Sequence, residues 1–244
     1  MIHRVTVIGN SHIRALEKAV EDGIVGLGGI ETRFLWLKTK NHGSVSKEDA
    51  IKACCSLGAG DLLVLSHLGA LHNQLALFEH DAPFSVADPE TGVPTPANRT
   101  VVPVAAVREF FLTRIGPAST LKQFASGASC PVFHFGSPPP RRQMLRKIKK
   151  VRLDRGEVDL RAFADPALRL AVWRIETEVV DAHLEALGIR TLPAPPEARD
   201  EDGYLHPDFY AEDATHANAA YGALVIMQII SALDLSGSPE GGAA

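Results

Sequence analysis

Short apolar, β-branched runs alternate along this chain with longer stretches of helical periodicity, and that alternation restricts the fold more than any other feature of the sequence. Arg4–Ile8 (RVTVI), bounded by Gly9, reads as a first strand. Ser11–Glu21 follows with Ile13, Leu16, Ala19 and Val20 at helical spacing. Thr32–Leu37 reads as a second strand, and Lys47–Leu57 as a helix with Ser46 placed to cap it. Asp61–Ser66 (DLLVLS) is a near-continuous apolar run, the pattern of a strand covered on both faces. Pro131–Phe135 gives a fourth strand and Ile189–Leu192 a short fifth. Helical patterns fill the intervals: Val101–Ala128 with a break at Gly116–Pro117, Pro166–Leu187, and Ala217–Leu233. Strands separated by helices need crossover connections. The pattern therefore predicts an α/β fold with a central parallel sheet and helices on both faces. No repeat or linker-like shift interrupts it, so residues 1–235 read as one domain, and the small, polar tail Ser236–Ala244 reads as a frayed end.

Composition excludes several function classes. A net charge of −4 gives no basic surface for nucleic acid, so no nucleic-acid partner is expected. Three cysteines, Cys54, Cys55 and Cys130, make no disulfide framework and fit a reducing compartment, where they read as small buried hydrophobes. No stretch has the form of a signal peptide, and none approaches the roughly 18 apolar residues that span a bilayer, so a cytoplasmic protein without a membrane span is expected. Nothing in the sequence specifies an oligomeric state. His67, His72 and His80 lack a metal-ligand spacing and a nearby carboxylate motif, so no metal and no cofactor are expected. His134, between Phe133 and Phe135, reads as a core residue.

Parallel sheets place ligands at the carboxyl ends of their strands. After the first strand comes Gly9-Asn10-Ser11-His12, directly before a helix. A serine there faces backbone N–H groups and the positive end of the helix dipole, and can act as an exposed nucleophile. Taken alone it is equally an N-cap serine. Near the other end lies Asp213-Ala214-Thr215-His216, just before the last helix. A serine hydroxyl needs a base, and that base needs an orienting acceptor. An Asp three residues before a His can supply both from one turn of chain, although Asp213 could also cap the last helix.

Together these segments resemble the SGNH/GDSL-like hydrolases. Gly-Asn-Ser-His at 9–12 is similar to the first block of that family, usually Gly-Asp-Ser, with Asn10 in place of the aspartate. Asp-Ala-Thr-His at 213–216 matches the last block, Asp-x-x-His. Asn41-His42-Gly43 is similar to the second block, whose glycine N–H serves the oxyanion hole. The third block, Gly-x-Asn-Asp after strand three, is absent; Ser66-His67-Leu68-Gly69-Ala70-Leu71-His72-Asn73 stands there, with Gly69 available for the turn and Asn73 for a side-chain amide. The resemblance implies a three-layer flavodoxin-like fold with sheet order 2-1-3-4-5. It also implies a serine esterase acting on small acyl esters, O-acyl groups on carbohydrates among them, with Ser11, Asp213 and His216 as a triad and Gly43, Asn73 and Gly69 around the oxyanion. An acyltransferase with the same triad, and a binding module lacking activity, are the alternatives.

Three further segments stand near that edge. The proline-rich stretch His80–Thr100 is too long for a simple connection and is expected at the pocket rim. Ser137-Pro138-Pro139-Pro140 follows the fourth strand and reads either as a pocket wall or as a plain turn. The basic run Arg141–Lys150 reads as a solvated helix face, with anion binding as the alternative.

Overall fold

A computed structural model describes residues 2–26, 28–39, 42–87, 98–115, 120–144 and 162–236. Among them the strands are β1 (Arg4–Gly9), β2 (Glu31–Trp36), β3 (Asp61–Ser66), β4 (Phe84–Ala87), β5 (Thr100–Pro103), β6 (Val132–Phe135) and β7 (Arg190–Leu192). The helices are α1 (Ile13–Glu21), α2 (Lys47–Cys55), α3 (His72–Ala76), α4 (Val104–Ile115), α5 (Thr120–Gly127), α6 (Pro166–Ala186) and α7 (Ala219–Ser236). Five strands form one parallel sheet in the order β2-β1-β3-β6-β7, while β4 and β5 pair apart from it. Counted within the main sheet alone, that is the order 2-1-3-4-5.

The alternation inside β3 explains its apolar sequence. Leu62 and Val64 join Val5, Val7 and Phe133 beneath α1 and α7. Leu63 and Leu65 point the other way, with Ile8, into the layer made by α2, α4, α5 and α6. Both faces of the strand are covered, so every residue from Leu62 to Leu65 is fully buried. Each such side chain contributes about 1.5–3 kcal/mol relative to exposure. Local signals fix the helix starts. Ser46 Oγ accepts from Asp49 N–H at 3.1 Å, and the Asp165 carboxylate accepts from Ala167 N–H at 2.8 Å, ahead of Pro166 in the first turn of α6. Among the described residues no helix is long and apolar enough to cross a membrane.

In secondary structure the clearest departure from the sequence reading lies around Thr100. Val101–Pro103, read as the start of a long helix, belongs to strand β5, which pairs in parallel with Phe84–Ala87. The β-branched Val101 and Val102 favour the extended form, and Pro103 stands at the boundary where α4 begins. The expected break at Gly116–Pro117 and the tip of the proline-rich segment, residues 88–97, lie outside the described residues, as do most of the basic run and residues 237–244 of the tail. The described parts of the proline-rich segment pack on the α4/α6 layer: Phe84 is buried there, and Arg99 holds Glu79 through both guanidinium nitrogens.

Register sets the position of the functional edge. Gly9 sits level with Trp36 on one side and Ser66 on the other, and Leu65 is level with His134. The carboxyl ends of β1, β2 and β3 therefore finish together, and the turns that leave them share one rim.

Candidate active site

The chain leaves β1 through a tight turn. Asn10 N–H donates to Ser66 O at 3.0 Å, which ties the turn to the end of β3. Gly9 has to be glycine at this point: a Cβ would lie 2.4 Å from that same Ser66 carbonyl oxygen. Helix α1 begins two residues after Ser11, with His12 at its N-cap and no side-chain capping bond. Ser11 thus does not cap the helix, and its hydroxyl is turned elsewhere. Its Oγ lies 2.7 Å from Nε2 of His216.

His216 sits on a loop that Asp213 builds. One carboxylate oxygen of Asp213 accepts from Thr215 N–H at 2.8 Å and from His216 N–H at 2.9 Å, which closes the turn. Its other oxygen lies 2.7 Å from His216 Nδ1. With Nδ1 protonated toward the carboxylate, Nε2 presents its lone pair to Ser11. Burial raises the Asp213 carboxyl, but the bonds from the His216 ring, the Thr215 N–H and the His216 N–H outweigh it and hold the group well below the usual carboxylate range. Helix α7 starts later than the sequence suggests, and Asn218 caps it by accepting from Tyr221 N–H at 3.2 Å. Asp213 is therefore free of the capping role.

A second histidine stands against the first. The His12 and His216 ring centroids are 4.9 Å apart. Burial pushes His12 down to about 3, and the neighbouring His216 adds to the effect. His12 is accordingly neutral through the range in which an ordinary imidazole titrates.

The three side chains open onto a cleft of about 1170 Å³. One wall carries Trp36, with the His42 ring stacked parallel to it at 6.2 Å and the Arg14 guanidinium 5.3 Å from its centroid. Phe135, Pro138 and Tyr210 also line the cleft, and Ala15 on α1 and Ile24 beyond that helix's end add apolar surface. Pro138 thus makes the segment after β6 a pocket wall. None of the described residues of His80–Thr100 reaches this cleft.

The other expected residues occupy different places. Gly43 follows the cleft-lining His42 with φ +88°, and a Cβ there would meet Leu37 O at 2.1 Å, so only glycine lets the chain double back. Among the described residues neither the Ser11 N–H nor the Gly43 N–H has a hydrogen-bond acceptor. Gly69 holds the turn after β3, where its carbonyl accepts from the Ser137 hydroxyl. Asn73 lies on α3 and lines a separate small void beneath Ala214 and Thr215. Among the described residues no three His, Cys, Asp or Glu side chains gather as a metal site.

Two features of the site were not read from the sequence. Glu176, fully buried on α6, accepts from Leu71 N–H at 2.9 Å, His72 N–H at 2.8 Å and the His72 ring at 2.7 Å, and so fixes the start of α3. Arg141, the first residue of the basic run, is not solvated: it is 3% exposed and packs behind the His216 loop.

Comparison with solved structures gives the architecture a context. A phospholipase A1 from Streptomyces albidoflavus is similar at TM-score 0.50 and 14% identity, over 95% of this chain and 99% of that one. An extracellular lipase from Streptomyces rimosus is similar at TM-score 0.50 and 12% identity, over 94% and 98%. A GDSL-like lipase from Bacteroides thetaiotaomicron has TM-score 0.43 and 14% identity, over 96% and 89%. No family model matches the sequence, and no curated protein matches it. At such identities the likeness is one of fold: a parallel sheet between helical layers, as in the SGNH hydrolases.

Proposed function

We propose that this protein is a serine hydrolase that moves the acyl group of an ester to water. One observation carries the reading: the unbroken hydrogen-bond chain from Ser11 Oγ through the His216 ring to Asp213, with 2.7 Å at each step. A serine, a base and an orienting acceptor in that arrangement are what acyl transfer needs.

Ser11 Oγ attacks the ester carbonyl carbon while its proton passes to His216 Nε2. The tetrahedral intermediate collapses, the bond to the alcohol oxygen breaks, and the proton on Nε2 goes to the leaving alcohol. Water then attacks the acyl-enzyme, again giving a proton to Nε2, and collapse frees the acid and restores the Ser11 hydroxyl. Asp213 keeps the imidazole tautomer fixed and stabilises the imidazolium in both halves of the cycle. The His12 ring packs beside the base, 4.9 Å between centroids.

Charge develops on the carbonyl oxygen, and preorganised donors stabilise it. The Ser11 and Gly43 N–H groups serve as those donors, because both lack acceptors among the described residues; Ser11 lines the cleft and Gly43 directly follows its lining residue His42. Gly69 contributes by holding the β3 turn. Asn73, placed under the His216 loop, takes no part in the oxyanion site. The substrate is a small acyl ester, with O-acyl groups on a carbohydrate as one form.

Treatment with a fluorophosphonate probe tests this directly. Wild-type protein should label at Ser11 and should hydrolyse p-nitrophenyl acetate, while Ser11→Ala should do neither at an unchanged melting temperature. Absence of labelling in the folded wild type, or labelling that persists in Ser11→Ala, would overturn the reading.

A further inference from the structure

Buried arginines are costly unless their charge is compensated, and Arg141 is almost completely buried with no carboxylate in ion-pair contact among the described residues. Burial lowers its affinity for its proton, against the partial support of the nearby Asp213 charge. Even so, arginine stays protonated in proteins, so a positive charge is fixed behind the catalytic loop.

The contacts of that charge converge on one loop. Arg141 Nη2 donates to Ala211 O at 3.0 Å and to His216 O at 2.8 Å. These two carbonyls are the two ends of the segment that carries Asp213, and Ala211 N–H also donates to His216 O at 3.2 Å. The planar guanidinium lies 4.4 Å from the ring centroid of Tyr210, the residue just before the segment. The backbone of Arg141 is held in turn: its carbonyl accepts from Arg169 Nη1 at 2.6 Å, and Arg169, on α6, also donates to Ala164 O and Arg142 O.

We propose that Arg141 is a positioning residue for His216. The argument rests on the hydrolase reading, since it assigns a role to the loop that carries the base. The His216 ring is aimed by two contacts, Asp213 on Nδ1 and Ser11 on Nε2, but both act on the far end of a side chain whose backbone stands on a loop. Arg141 fixes that backbone at the His216 carbonyl and sets the loop's width at the Ala211 carbonyl. A relay of two arginines thus ties the base to α6, a 21-residue helix with one face in the core, rather than to the turn alone. A small shift in such geometry lowers the chemical step far more than it lowers substrate binding.

The test compares Arg141→Met, which keeps an unbranched apolar stem and loses both hydrogen bonds, with Arg141→Lys, which keeps charge but loses the planar fork and the stacking on Tyr210. With p-nitrophenyl acetate, kcat should fall roughly 10- to 100-fold in Arg141→Met and roughly 5- to 10-fold in Arg141→Lys, with KM within about twofold. The fluorophosphonate labelling rate should fall in the same proportion. The proton on His216 Nδ1, bonded to Asp213, should give a sharp low-field NMR resonance in the wild type that broadens in Arg141→Met. Wild-type kcat in folded Arg141→Met, or a loss that only follows the unfolded fraction, would overturn the proposal. If Arg141→Met does not fold, wild-type kcat in Arg141→Lys overturns it. If wild-type protein neither labels nor hydrolyses, the hydrolase reading fails, and the His216 resonance in the two variants still decides whether Arg141 sets that ring.

Discussion

The two halves of the candidate site are held in place by different kinds of bond. Ser11 is placed by backbone: a strand end, a carbonyl of the next strand, and a glycine that no other residue can replace without meeting Ser66 O. His216 is placed by side chains: the carboxylate of Asp213 inside its loop, and the guanidinium of Arg141 behind it. A backbone-built position fails together with the fold around it. A position built from side-chain bonds can fail alone, leaving a folded protein that has lost its chemistry. Substitutions on the two sides should therefore separate activity from stability in opposite ways.

The largest effect should come on the side-chain half. Asp213→Asn keeps the shape of the turn but changes the hydrogen bond to Nδ1, so the imidazole no longer offers Nε2 as a base. On the proposed mechanism kcat should drop about 10⁴-fold, with the melting temperature shifted only a few degrees. A kcat within tenfold of wild type would show that Asp213 is only a structural turn former.

The backbone half should give the reverse. Gly9→Val forces a branched side chain against Ser66 O and Ile13, and should cost about 3 kcal/mol or more in denaturant unfolding, with activity lost in step with the folded fraction. A stable but inactive Gly9→Val would break the comparison, because the turn would then be tuned for chemistry rather than for packing.

Acid sharpens it further. His134, on β6, is pushed down to about 3 chiefly by burial, so the unfolded chain binds a proton there that the folded chain does not. Stability associated with His134 is complete above the unfolded value of about 6.5 and is lost progressively as the pH falls toward about 3. At pH 4 the linkage amounts to roughly 3 kcal/mol. His134→Phe should recover most of that difference in urea titrations at pH 4 relative to pH 7. Equal acid sensitivity in the variant would remove His134 as its source.

The smallest effect is expected at Asn73. Its side chain lines the void beneath Ala214 and Thr215 and not the cleft, so Asn73→Ala should change kcat less than about threefold. Loss of an oxyanion donor elsewhere costs about 10²–10³-fold, and a fall of that size would place Asn73 among the oxyanion donors after all.

The main sheet was legible because β1 and β3 are buried on both faces, so their sequences are mostly apolar, Val5–Ile8 broken only by Thr6 and Leu62–Leu65 unbroken. The pair β4–β5 was not, since neither strand has more than four residues and their pairing is non-local. Val101 and Val102 fit a helix pattern as readily as a strand when the partner Phe84–Ala87 is out of view. In the candidate site, Ser11, Asp213 and His216 were legible as residue types at telling positions, and the structure brings their side chains together. Glu176 and Arg141 were hidden for a physical reason. Their partners are mainly backbone groups, and a backbone carbonyl or amide leaves no mark on the sequence. A buried glutamate in a helical pattern, or an arginine at the head of a basic run, looks like an exposed one until the surrounding chain is known.

The hydrogen bond between Ser11 and His216 joins residues 205 positions apart. During synthesis the strand and turn that carry Ser11 emerge early, whereas the base emerges on the order of 10–40 s later at ordinary elongation rates. Throughout that interval the serine is an ordinary hydroxyl. On the proposed mechanism the growing chain therefore carries no working nucleophile against the esters around it, and reactivity appears only when α7 docks beside α1 and the His216 loop comes to rest.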